Sequence, residues 1–114
     1  MSGTTYQPGD VLLIPFPFSD RLANKKRPVL LLTAPDEMGD IICLPITSST
    51  HHTDGFRLLD EHFRDGRLPK ASWVRTGKAY TLNASLLVGR FGTLHDETFW
   101  QIRQATCAKL GCNA

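Results

Sequence analysis

The chain has 114 residues, enough for one domain that buries about two-thirds of its unfolded surface. Thirteen Lys and Arg against 11 Asp and Glu leave a formal charge of +2, too small on its own to announce a partner of strong negative charge. No apolar stretch is long enough to span a bilayer, the start Met1-Ser2-Gly3-Thr4-Thr5 lacks a signal peptide's charged and apolar regions, and Cys43, Cys107 and Cys112 form no disulfide framework.

A single domain over residues 1–114 in a reducing cytoplasm is therefore expected, with no membrane contact. Val11 to Phe18 is apolar but interrupted by Pro15 and Pro17, which cannot donate to a ladder, so its end lies at an edge or leaves the sheet. Val29 to Thr33 is a continuous apolar run, the pattern of a central strand buried on both faces. Turn formers over 34–39 make Asp40 to Pro45 its hairpin partner. After a polar loop over 47–55, Phe56 to Leu59 reads as a short strand and Glu61 to Gly66 as loop or a helical turn. Further strands follow at Ala71–Val74, Lys78–Leu82 and Leu86–Phe91.

From about Asp96 the period changes: Phe99, Ile102, Thr106 and Leu110 recur at helical spacing. Asp96 and Glu97 suit the positive end of the helix dipole, Lys109 its last turn and Gly111 the C-cap. Cys43 in a strand and Cys107 in the helix are expected to pack as small hydrophobes. Several short strands closed by one amphipathic helix predict a mainly β fold, a small, strongly bent barrel with a C-terminal α-helix.

The chemistry gathers at strand ends. Lys25-Lys26-Arg27 stands at the entry to the second strand, and Thr47-Ser48-Ser49-Thr50 follows the third. Arginine and hydroxyls converging there could hold a phosphate. Residues 57 to 90 add seven basic side chains against three acidic ones, an asymmetry that would steer a polyanion. The bland readings stand beside these: a solvated surface, Arg27 capping a strand or pairing with Asp10 or Asp20, and Thr47 satisfying a turn. His51, His52, Asp54 and His62 match no recognised metal spacing, so no metal site is expected, and His51 with His52 fits a loop that helps hold a phosphate. Tyr80 is a candidate to stack on a base, whereas Trp73 is expected in the core. Phe16, Phe18 and Trp100 are candidates for base or partner contacts.

Ordered blocks along the chain resemble the MazF/PemK family of toxin endoribonucleases, the toxic halves of type II toxin–antitoxin pairs. The blocks are Gly9-Asp10-Val11 with PFPFSD, then KKRPVLLL, LPITSS, LPKASWVRTGKAYTLN and GRFGTLHDE. The resemblance implies an SH3-like β-barrel with a C-terminal helix, a homodimer, and cleavage of single-stranded RNA without metal or other cofactor. It also implies a cognate antitoxin protein whose acidic, apolar C-terminal segment covers the RNA groove. Arg27 and Thr47 fall on the family's catalytic positions. Lys25, Lys26 and Ser48 are the expected supporting contacts to RNA, and Ser49, His51, Lys70, Lys78 and Tyr80 complete the RNA-binding set.

These residue types suit the reaction. RNA carries its own nucleophile, the 2′-hydroxyl, so the protein has to align it and manage charge. A guanidinium can hold two phosphate oxygens and offset transition-state charge, while arginine's very high pKa makes it a poor base. The products would be 2′,3′-cyclic phosphate and 5′-hydroxyl ends. The chain departs from the family pattern at Leu22-Ala23-Asn24, Ala71 and Gly77-Lys78, where relatives often carry acidic residues. Two other readings of the same barrel are a gyrase-binding toxin of the CcdB group and a non-catalytic RNA- or antitoxin-binding module.

Overall fold

The computed structural model describes residues 5–15, 26–49 and 55–112. They form strands β1 (Asp10–Pro15), β2 (Lys26–Leu31), β3 (Asp40–Thr47), β4 (Phe56–Leu58), β5 (Phe63–Gly66), β6 (Ser72–Val74), β7 (Tyr80–Asn83) and β8 (Gly89–Leu94), then helix α1 (Asp96–Leu110). Short 3₁₀ turns occupy Asp60–His62 and Ala84–Leu86. The strands make one curled, antiparallel sheet in the order β4-β6-β3-β2-β1-β8-β5, with β7 also on β3. This is the mainly β, half-barrel fold with one C-terminal helix that the chain pattern predicts.

Alternation along β1, β2 and β3 divides the core. Val11, Leu30, Leu44 and Ile46 point to one face, where Leu94 of β8 and Ile102 of α1 join them. Leu12, Val29, Leu31, Ile41 and Cys43 point to the other, covered by Tyr6, Tyr80, Leu86 and Leu87. The three central strands are thus buried on both sides, which is why Val29 to Leu31 read as an unbroken apolar run. The helix turns Thr98, Ile102 and Thr106 inward, while Leu110 is 69% exposed, so the apolar stripe ends one turn earlier than its spacing suggests. Trp100 also faces outward.

Two details differ from the sequence reading. Phe63–Gly66 is a strand, not a loop: an edge strand on β8 with only Phe63 turned into the core. Gly66 and Gly92 face each other there, and a Cβ on Gly66 would run into the Phe91 carbonyl. The helix ends on Gly111 at φ 81°, with Gly111 N–H on the Ala108 carbonyl and Cys112 N–H on the Cys107 carbonyl at 2.9 Å. That is a Schellman turn, and its usual apolar contact across the turn is here a disulfide between Cys107 and Cys112. Cys107 is thus not the plain core hydrophobe expected. In a reducing compartment the pair would be a dithiol, and the two backbone bonds hold the turn without it.

Asp10 is 2% exposed at the start of β1. Its carboxylate accepts the Thr93 hydroxyl at 2.7 Å and the Gln7 N–H at 3.0 Å. Arg90 in turn donates to Thr93 at 2.7 Å and to Asp65 at 3.0 Å, tying β1, β8 and β5 together. Asp10→Ala takes the acceptor away from the Gln7 N–H and from the buried Thr93 hydroxyl. It is expected to lower unfolding free energy by about 1–3 kcal/mol, read by urea denaturation.

Candidate active site

β2 and β3 pair Val29 with Pro45, Leu30 with Leu44 and Leu31 with Cys43. Continuing that register by two residues sets Arg27 across from Thr47, on the face shared by Val29 and Pro45. The ladder stops short of them because Pro28 has no N–H to donate toward β3. On the other edge of β3, the Pro45 carbonyl accepts the Arg75 N–H at 2.9 Å, and β6 pairs Val74 with Ile46 and Trp73 with Thr47. Where the strands part, a cavity of about 240 Å³ opens between Arg27, Thr47, Arg75 and Tyr80.

The four side chains come to one face by register. Arg75 stands opposite Pro45 and Tyr80 opposite Cys43, so both project to the side of Arg27 and Thr47. Thr47 Oγ1 accepts the Ser49 N–H at 3.0 Å, which leaves its own proton available to donate. The Tyr80 hydroxyl and the Arg75 Nε are buried without a hydrogen-bond partner among the described residues. Among the described residues every polar side chain on this wall can offer a proton, and none is a carboxylate. Such a wall suits an anion rich in acceptor oxygens.

The remaining expected contacts divide around this centre. Lys26, Ser48 and Lys70 line a second cavity of about 280 Å³ on the other face, which shares Arg27 and Pro28 with the first. That cavity continues through Leu68, Pro69 and Phe91 into an open groove carrying Arg57, Arg67 and Lys70, with Asp60 and Glu61 on its rim. Lys78 is not beside Arg27: it lies past Arg75, next to Lys109. Ser49 serves Thr47 through its backbone. Lys25, His51, His52, Phe16 and Phe18 lie outside the described residues.

Several other readings resolve. Asp10 pairs with Thr93 and Gln7, not with Arg27. Trp73 is half-buried and carries the Arg57 guanidinium 5.0 Å from its ring, so it is neither fully core nor bare. His62 Nδ1 accepts the Leu59 N–H at 2.9 Å, closing its own turn. Among the described residues no three His, Cys, Asp or Glu side chains gather as a metal would require. No helix among them is long and apolar enough to cross a membrane. Arg75 is the residue the sequence did not single out; it stands at a strand exit, and only the pairing of β6 with β3 brings it to the site.

A curled sheet capped by one helix, with Arg27 and Thr47 lining one cavity beside it, places the chain in the class of small half-barrel proteins. The chain matches the family model for the PemK-like, MazF-like toxin of type II toxin–antitoxin systems over residues 7–110, and it belongs to that family. No curated protein matches it by sequence. Among solved structures it is similar to an endoribonuclease in complex with its cognate antitoxin from a mycobacterial species, at TM-score 0.72 and 16% identity, covering 98% of this chain and 99% of that one. It is similar as well to MazF in a MazE–MazF crystal structure from Deinococcus radiodurans, at TM-score 0.71 and 16% identity, over 96% and 100% of the two chains. The Mycobacterium tuberculosis toxin MazF-mt6 gives TM-score 0.66 and 19% identity, over 92% and 99%. At these identities the likeness is one of fold.

Beneath the site, burial pushes the Cys43 thiol up to about 12, against a smaller lowering from Tyr80. Burial, then the neighbouring Cys43, pushes the Tyr80 phenol upward as well. The unfolded thiol ionises near 9.0 while the folded one stays protonated, so this contribution is full below that pH and declines as pH rises toward about 12. The urea midpoint of the wild type is expected to fall more steeply between about pH 9 and about pH 11 than that of Cys43→Ala. Equal slopes would show that the buried thiol does not couple to stability.

Proposed function

We propose that the chain is the toxin of a type II toxin–antitoxin pair and cuts single-stranded RNA at a short sequence motif, without a metal ion. The observation that carries this reading is the facing of Arg27 and Thr47 across the opened β2–β3 pair, in a cavity whose polar wall consists of donors. A scissile phosphate seated there would lay its two non-bridging oxygens against the Arg27 guanidinium, with the Thr47 hydroxyl donating to one of them. The RNA 2′-oxygen then attacks phosphorus and loses its proton to water. The bond to the 5′-oxygen breaks, and that oxygen takes up a proton. Charge grows on the non-bridging oxygens during the attack, where fixed donors stabilise the transition state more than the ground state. The products carry a 2′,3′-cyclic phosphate and a 5′-hydroxyl.

The partners in this reading are single-stranded RNA, a second copy of the chain and a small antitoxin protein, all in the cytoplasm. The mycobacterial and Deinococcus structures hold an antitoxin on the same fold, which supports that part of the reading. An acidic antitoxin segment would be complementary to a groove bearing Arg57, Arg67 and Lys70.

The test is incubation of purified protein in EDTA with a long single-stranded RNA, mapping the 5′ ends. Cuts at a recurring motif with 5′-hydroxyls are expected, slowed about 100-fold or more in Arg27→Ala and in Thr47→Ala. No cleavage by the antitoxin-free protein would sink the enzyme reading in favour of a gyrase binder or a non-catalytic module.

A further inference from the structure

Arg75 separates two cavities. On one side lies the space shared with Arg27 and Thr47. On the other is a space of about 230 Å³ walled by Gly55, Arg75, Thr76, Gly77, Lys78 and Lys109. Three elements deliver its cations: the exit of β6, the turn toward β7, and the last turn of α1. Among the described residues no carboxylate lines either cavity, and neither ion pair involves Arg75, Lys78 or Lys109. Like charges gathered without counter-charge repel one another, and an anion between them removes that repulsion.

The backbone of Arg75 is fixed without help from its side chain. Its N–H donates to Pro45 at 2.9 Å, and its carbonyl accepts from Lys78 N–H at 3.1 Å. The guanidinium is thus placed between the cavities, with a buried Nε that finds no hydrogen-bond partner among the described residues. The Lys109 stem lies over Gly77, its Cγ and Cδ 3.5 Å from where a Cβ would stand, so the helix end packs against the turn. Tyr80 adds its buried hydroxyl on the near side.

We infer that the second cavity is a phosphate subsite: Arg75 bridges the scissile phosphodiester and the neighbouring phosphodiester of the same RNA strand, and Lys78 with Lys109 holds the latter. The subsite rests on the ribonuclease reading. It extends the site from a single phosphate to two consecutive ones and makes Arg75 a binding residue shared by both.

Binding is measured against salt with an RNA carrying a 2′-deoxy nucleotide at the mapped scissile position, which cannot be cut. Cleavage of the all-ribose strand is followed in parallel. Wild type is compared with Arg75→Ala, Arg75→Lys and the double variant Lys78→Ala/Lys109→Ala, whose replaced side chains are exposed. Leaving one phosphate without the lysines that neutralise it is expected to make the slope of log affinity against log salt shallower by about 0.7. The double variant should show that change with KM raised about fivefold or more and kcat nearly kept. Arg75→Ala should lose affinity and about tenfold or more in kcat; Arg75→Lys should keep the slope but not the rate, since an ammonium cannot span two phosphates. If wild type cuts the RNA and the variants keep its slope and rates, the subsite is wrong and the nuclease reading stands. If wild type binds with these slopes yet never cuts, the nuclease reading fails alone. Variants that release the antitoxin while handling RNA as wild type does would overturn the subsite in favour of a protein-docking contact.

Discussion

The cleft exists because the β2–β3 ladder cannot run to the end of either strand. β3 carries β2 on one edge and first β7, then β6, on the other. Pro28 has no N–H, so the bond that would carry the β2 ladder on to Arg27 and Thr47 is missing. The opposite edge stays satisfied. There the Arg75 N–H takes the Pro45 carbonyl, and the same segment supplies a further cation to the opening.

The chain is nearly neutral, yet the described lining of the cavities around Arg27 and Arg75 is cationic, because several carboxylates are engaged elsewhere. Asp10 is buried against Thr93 and Gln7, Asp65 pairs with Arg90, and Asp36 closes the β2–β3 turn by accepting the Met38 and Asp40 N–H groups at 2.9 Å. Asp96 and Glu97 sit at the positive end of the helix. Each of these acids has a structural role away from the strand ends, and none lines the cavities on either side of Arg75. Net charge therefore understates how strongly this surface attracts a polyanion; distribution decides it.

The sequence shows the central strands plainly, since Val29 to Leu31 can be buried on both faces only as a middle strand, and the helix through its change of period. It shows Arg27 and Thr47 through their place in ordered motif blocks. That they face each other does not follow from spacing, because it depends on the register set by the turn between β2 and β3. Arg75 is hidden for a related reason: in the run Trp73-Val74-Arg75-Thr76 it looks like the polar end of an ordinary strand, and its role arises from pairing with Pro45, far earlier in the chain. β5 is hard to see because an edge strand may be charged on its open side. The disulfide is hard to see because the short spacing of Cys107 and Cys112 resembles no framework until the Schellman turn folds the second back onto the first.

Chemistry and hold on the strand are built on different kinds of support. Arg27 and Thr47 extend from strands packed on both faces, so their positions are fixed before any ligand arrives, as electrostatic stabilisation of a transition state demands. Lys78 and Lys109 come instead from a turn and a helix end, which contribute little to the core. The two backbone bonds of the Gly111 turn steady the last helical turn from which Lys109 reaches out. Substitutions at 78 or 109 can then change the charge of the second cavity while the parted strands stay as they are. Lys78 and Lys109 set the charge of that second cavity, and neither lines the cavity that Arg27 shares with Thr47.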